Sequence, residues 1–191
     1  MNMSRWISAL AAIAVSALAL AHNTEFRRVC LLTGTQEIPP NASNADGCGT
    51  IIIDPVNNKI AYRIVATNLA GAEIAATING PAAPGANGPV LFSLPLGSAK
   101  SGVISYSQAQ EDMVLSGKMY VNIATTLFPA GELRGQIVTH VASLDAAQEV
   151  PSNGSNARGF GLFWFDNIAN TMDYYIAYAG LSSAETMAHI H

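Results

Sequence analysis

The chain repeats itself, and the repeat constrains most of what it can fold into. Shifted by 112 positions without gaps, Gln36–Asn79 meets Gln148–His191 with identity at 18 of 44 positions, including Gln36, Glu37, Pro39, Asn41, Ser43, Gly47, Gly49, Asp54, Asn58, Tyr62 and Ile64. A period of this length is a domain rather than a solenoid unit. The copies part company at their last matched stretch, Ala76-Thr77-Ile78-Asn79 in the first and Ala188-His189-Ile190-His191 in the second. On a strand, side chains at i and i+2 point the same way, roughly 6–7 Å apart. His189 and His191 can therefore offer two imidazoles to one ion, with a third ligand from a neighbouring strand. Imidazole suits copper, zinc, iron or nickel. The other reading of such a pair is two exposed strand histidines. In the first copy, Thr77 and Asn79 occupy the same places.

Turn chemistry divides the first copy into short extended runs. Arg27–Thr35 ends at Gln36-Glu37-Ile38-Pro39-Pro40, and Asn41–Gly49 is a polar turn cluster. Thr50–Ile53 is β-branched and closes at Asp54-Pro55. In Lys59–Thr67, Ile60, Tyr62, Ile64 and Ala66 alternate with Ala61, Arg63 and Val65, the period of a half-buried strand. Glu73–Asn79 alternates in the same way, and Gly80–Pro89 is a loop too rich in Pro and Gly for regular structure. Val90–Leu96, Lys118–Thr125 and Glu132–Val138 complete the set, with Ser107–Ser116 the one place for a short helix. Short strands at this spacing predict an all-β chain: an antiparallel, Greek-key-like β-sandwich repeated in tandem, its second copy incomplete. By the internal offset the second copy would need about 60 further residues to match the first. That reads as a truncated sequence or as a half-domain that pairs with another chain.

Half of the residues are hydrophobic and 12% are charged, which supports a sizeable core. A net charge of −4 gives no electrostatic reason to expect nucleic acid or an anionic membrane as partner. Residues 1–21 have the form of a secretory signal peptide: Arg5, the apolar run Trp6–Leu20, and the small-x-small end Ala19-Leu20-Ala21. A retained anchor is the competing reading, against which the run is short for a membrane span. Cleavage would leave His22 as the mature N-terminus, with an amine and an imidazole able to chelate a metal. The predicted boundaries are then 1–21 for the leader, 22–140 for the first domain and 141–191 for part of a second, in a secreted or periplasmic protein that no membrane holds after cleavage. An exported compartment permits a disulfide between Cys30 and Cys48, with two buried thiols as the alternative. Asn41-Ala42-Ser43 and Asn153-Gly154-Ser155 fit the glycosylation pattern, or are two copies of one turn. Glu132 and Arg134 share a strand face and are expected to pair with neighbouring strands at the surface.

Four stretches carry a resemblance: Gln36-Glu37-Ile38-Pro39-Pro40, Gly80-Pro81-Ala82, Tyr120-Val121-Asn122-Ile123, and Pro129-Ala130-Gly131-Glu132-Leu133-Arg134-Gly135-Gln136. Together they resemble the chordin-type, or CHRD, domain family of secreted repeats, over Phe26–Val138 and again from Val141. The resemblance implies a binding or structural module, not an enzyme. It also implies three histidine positions, at which the first domain has Thr77, Asn79 and Ala124. They look like one site lost as a unit, which implies that they converge in space and that the first domain takes no transition metal there. Copper or zinc in an intact second domain, through His189 and His191, is the alternative implied. The expected partner is an extracellular protein or a metal ion, and superoxide-dismutase-like chemistry is not expected.

Overall fold

The computed structural model describes residues 25–166 and 170–190. The expected leader and its expected cleavage site, His22 and His191 lie outside the described residues.

Eight strands form the first repeat: β1 (Phe26–Thr33), β2 (Asp46–Asp54), β3 (Lys59–Thr67), β4 (Glu73–Asn79), β5 (Val90–Ser93), β6 (Ala99–Ser105), β7 (Tyr120–Thr125) and β8 (Leu133–Gln136). Their order is β5-β4-β7-β8-β1-β2-β3-β6, and every pairing is antiparallel. Two four-stranded halves meet at a short seam, where Thr33 of β1 opposes Arg134 of β8. Beyond it, Val29 and Val138 exchange backbone hydrogen bonds of 2.8 and 2.9 Å. The sheet wraps round one core: Cys30, Leu32, Ile51, Ile53, Ile60 and Ile64 from one half meet Ala76, Ile78, Val121, Ile123 and Leu133 from the other. All-β folding is thus as expected, and the short helix falls where the sequence places it, as α1 (Glu111–Leu115).

The alternation in β3 is borne out, with Ile60, Ile64 and Ala66 buried and Lys59, Arg63 and Thr67 exposed. The turn before it is built by Asp54, whose Oδ1 accepts the amides of Val56 and Asn57. Two departures stand out. β2 begins at Asp46, inside the stretch read as a turn cluster, because its glycines serve close packing: a Cβ on Gly47 would lie 2.5 Å from the Val65 carbonyl oxygen. The edge strand β6 was not foreseen, since Ala99-Lys100-Ser101-Gly102 lacks a β-branched run.

The expected Cys30–Cys48 bridge is corrected by the register. The two residues do lie on neighbouring strands, but Cys30 opposes Gly49 and Cys48 opposes Leu31. A one-residue offset puts the side chains on opposite faces of the sheet. Both are free thiols, Cys30 in the core and Cys48 exposed.

The second repeat contributes β9 (His140–Asp145), β10 (Arg158–Asp166) and β11 (Thr171–Ala179), in the order β11-β10-β9. One face of this sheet lies against the outer face of β1. Val138, Phe160 and Leu162 form a second buried cluster there with Val29, Leu31, Val141, Trp164 and Ala177. The Trp164 indole N–H donates to the Gly117 carbonyl at 2.9 Å, a direct polar tie between the repeats.

Candidate functional site

The positions singled out in the first repeat lie on the face of β4, β7 and β8 turned away from the core. Across these strands Asn79 opposes Tyr120, which opposes Gln136; Thr77 opposes Asn122, which opposes Arg134; and Ala75 opposes Ala124. Opposed residues share a face, so Thr77, Asn79 and Ala124 sit together, with Thr77 diagonal to Ala124 and Asn79 one step further along. The expected convergence therefore holds for Thr77 with each of the other two. Thr77 donates its hydroxyl proton to Asn79 Oδ1 at 2.5 Å, and Asn79 Nδ2 donates to the Gly88 carbonyl at 3.3 Å. Ala124 is buried and brings no polar atom. A neutral hydroxyl, a carboxamide and a methyl do not fit a borderline or soft transition metal.

Two loops cover this face, and polar side chains at its centre hold them. The Arg134 guanidinium stacks on the Tyr120 ring, 3.7 Å from its centroid, and donates to Asn87 Oδ1 at 3.0 Å and the Ala86 carbonyl at 2.8 Å. Gln136 Nε2 donates to the Ala82 carbonyl at 2.9 Å. Gly88 N–H donates to the Tyr120 hydroxyl at 3.0 Å. The Gly80–Pro89 loop is thereby fastened to β7 and β8. On the other side, Gln36 Oε1 accepts the Gln136 amide at 3.2 Å, and Glu37 accepts from Asn122 Nδ2 at 3.1 and 3.3 Å.

Glu132 and Arg134 correct the expectation of an exposed pair. Both are fully buried, and they do not bond each other. Glu132 accepts the hydroxyls of Ser43 and Thr125 at 2.6 Å each and the Ala70 amide at 2.7 Å. Burial pushes its carboxyl pKa up, but these three donors together outweigh that and hold it below the usual carboxylate range. Asn41 Nδ2 donates to the carbonyls of Gly131 and Glu132 at 3.2 and 3.0 Å, so the first glycosylation-like triplet is a structural clasp.

Glu37 is the residue that sequence reasoning missed. Burial pushes its carboxyl up to about 7, against the opposing influence of the Arg134 charge, the Ile38 amide and Asn122. Its signal was present, since Gln-Glu recurs before a proline in both copies, but a lone acid in a loop reads as solvated. A cleft of roughly 220 Å³ lies beside it between the repeats, with Glu37, Arg134 and Gln136 on one side and Phe160, Leu162 and Tyr175 on the other. No exposed nucleophile paired with a base faces this cleft among the described residues.

In the second repeat, residues 180–190 follow β11 without regular structure, so His189 is not on a strand as Thr77 is. Among the described residues no three His, Cys, Asp or Glu side chains gather into a metal-ligating group.

A family model described as the CHRD domain matches residues 29–137 and again residues 140–191. Neither a curated protein nor a solved structure matches the chain. The two matched segments span well over half of the sequence, and they coincide with the internal repeat and with the two sheets. The chain belongs to the CHRD domain family, as one full repeat followed by a second, partial segment.

Proposed function

We propose that this protein is an exported binding or structural module, secreted or periplasmic, that acts through its surfaces and not through catalysis. The observation that carries the reading is the state of the β4–β7–β8 face. Its polar side chains bond one another and the two covering loops, a network that fixes shape, and Glu37, the one carboxyl in it, is tied to Asn122 with no paired nucleophile beside it among the described residues. Thr77, Asn79 and Ala124 take no transition metal, so the first repeat presents an architecture and not a metal centre. The expected partner is an extracellular protein.

The second reading is a copper or zinc site built on His189 and His191. Its support is the His-x-His sequence, which stands where the first repeat has Thr77 and Asn79. One experiment separates the two. The full chain is expressed with its own leader in an exporting host, in medium supplemented with copper or with zinc, beside a His189→Ala, His191→Ala variant. Metal content and N-terminal mass are then measured on the exported protein. The module reading expects a chain beginning at His22 with far less than one metal per molecule in both forms. One equivalent that disappears in the variant establishes the second reading. One equivalent that persists in the variant, and still persists when His22→Ala is added to it, overturns the claim about Thr77, Asn79 and Ala124.

A further inference from the structure

The cleft between the repeats has two unlike walls. One is polar and belongs to the first repeat, where Glu37, Arg134 and Gln136 reach it. The other is apolar and belongs to the second, where Phe160, Leu162 and Tyr175 face it. The counterparts of these three residues 112 positions earlier are Cys48, Thr50 and Arg63, all exposed. The second repeat has thus exchanged an ordinary outer strand surface for an apolar one on the side that meets the first. Phe160 and Leu162 are spent in that contact, at 6% and 1% exposure, but Tyr175 keeps 39%.

The polar wall is incompletely satisfied. Arg134 is 1% exposed, and its bonds to Asn87, Ala86 and Gln136 reach only neutral oxygens and use three of its five N–H donors. Among the described residues no carboxylate lies within 4.0 Å of the guanidinium, although a buried arginine is normally paired. Glu37 is near but bonds Asn122 instead. Burial keeps its proton on to about pH 7, and its partners, Asn122 Nδ2 and the Ile38 amide, are both donors. The wall therefore holds a proton to give and a cation beside it, and the described residues supply neither acceptor nor anion.

We infer that this cleft binds a small organic carboxylate, its charged end between Glu37 and Arg134 and its apolar body against Phe160 and Tyr175. A carboxylate supplies both things the polar wall lacks, an acceptor for the Glu37 proton and a negative charge for the guanidinium. An amine would meet Arg134 as a like charge, and a neutral end would leave it unpaired. The volume of about 220 Å³ equals roughly seven waters, enough for a single ring bearing a carboxylate. Sites with an apolar lining and a few convergent polar groups favour domain boundaries. For a ligand of about ten non-hydrogen atoms, a dissociation constant on the order of 0.1–1 mM is expected. This site stands apart from the module's protein partner and does not depend on it.

Calorimetric titration of the full chain with benzoate tests it, beside benzyl alcohol and benzylamine, which carry the same ring with a neutral and a positive end. At pH 6 benzoate should bind, and the other two at least about tenfold more weakly. The ionisable groups packed around Glu37 are Arg134 on β8, Tyr120 on β7 and Tyr175 on β11. Glu37 gives up its proton between pH 6 and 8, so benzoate should bind about tenfold more weakly at pH 8. Glu37→Gln should bind it equally at both pH values, since an amide donates without titrating. Tyr175→Ala, at a partly exposed side chain, should weaken binding about three- to tenfold. No binding up to about 10 mM overturns the inference, and so does benzyl alcohol or benzylamine binding as tightly as benzoate. Binding whose pH dependence survives Glu37→Gln, or whose strength survives Tyr175→Ala, places the ligand elsewhere and overturns it too.

Discussion

Glu37 shows how one side chain can tie stability to pH. Its proton stays on to about pH 7 in the folded protein, while an unfolded glutamate releases it near the ordinary value of 4.5. Folding therefore takes up a proton between those limits. The resulting stabilisation is full below the unfolded pKa and is lost as pH rises through 7. From pH 5 to 8 the loss is roughly 2–3 kcal/mol. Glu37→Gln keeps an acceptor for Asn122 and cannot titrate, so its urea midpoint should fall less than the wild type's over that range. Parallel curves for the two proteins would show that Glu37 is not held as described. Glu132 works in the opposite sense. Its depressed pKa contributes stability above the ordinary glutamate range, and this is lost as acid drives pH through the folded value. Between pH 5 and 8 it stays ionised, so the two carboxyls separate cleanly. Neither role could be read from the sequence, because what distinguishes a buried acid from a solvated one is the set of donors delivered by distant loops. Ser43 and Ala70 reach Glu132 across 89 and 62 positions.

At the level of strands, legibility followed periodicity. β3 and β7 alternate cleanly, and their inward residues Ile60, Ile64, Val121 and Ile123 were identifiable on sight. β6 was not, because its one inward anchor near the start is a lysine. Lys100 is fully buried and paired with Glu73 at 2.8 Å, a contact between β6 and the start of β4 that no local pattern announces. Register was equally invisible. Cys30 and Cys48 belong to paired strands, and only the one-position offset separates a bridge from two thiols. That offset predicts a labelling pattern. In native protein a brief pulse of iodoacetamide should modify Cys48 and leave Cys30, whose thiol burial pushes up to about 12. Both should react once urea unfolds the chain without reductant, and mass spectrometry reads one adduct and then two. Resistance of both cysteines in unreduced, unfolded protein would mean that they are bridged after all. Alternation put Thr77 and Asn79 on one face of β4, while the expectation that Ala124 lies near them came from the family resemblance, and the β4–β7 register brings it to the same face. The covering by Gly80–Pro89 was not foreseen, because it depends on Arg134 reaching Ala86 and Asn87 from a third strand.

On the scale of the whole chain, two apolar clusters that share no residue divide the stability. Leu162 is almost fully buried in the smaller one, so Leu162→Asp should cost the contact between repeats about 2–4 kcal/mol, combining lost burial with a charge brought into an apolar site. The larger core should be unaffected. Thermal unfolding should then separate into an early step, seen by Trp164 fluorescence, and a later one at the wild-type temperature of the first repeat. A single cooperative step lowered as a whole would show instead that the clusters melt together. The strand order has a further consequence for the way the molecule is made. Among the described strands β1 is the first to leave the ribosome, yet it lies in the interior of the sheet, between β2 and β8. Its neighbour β2 follows directly. Its other neighbour faces it through Thr33 and Arg134, about a hundred residues apart. At a synthesis rate of 5–20 residues per second, that strand arrives roughly 5–20 s later. For that interval β1 is paired on one side only, through β2. The two halves of the sheet are joined only when Leu133–Gln136 slots in beside its oldest strand.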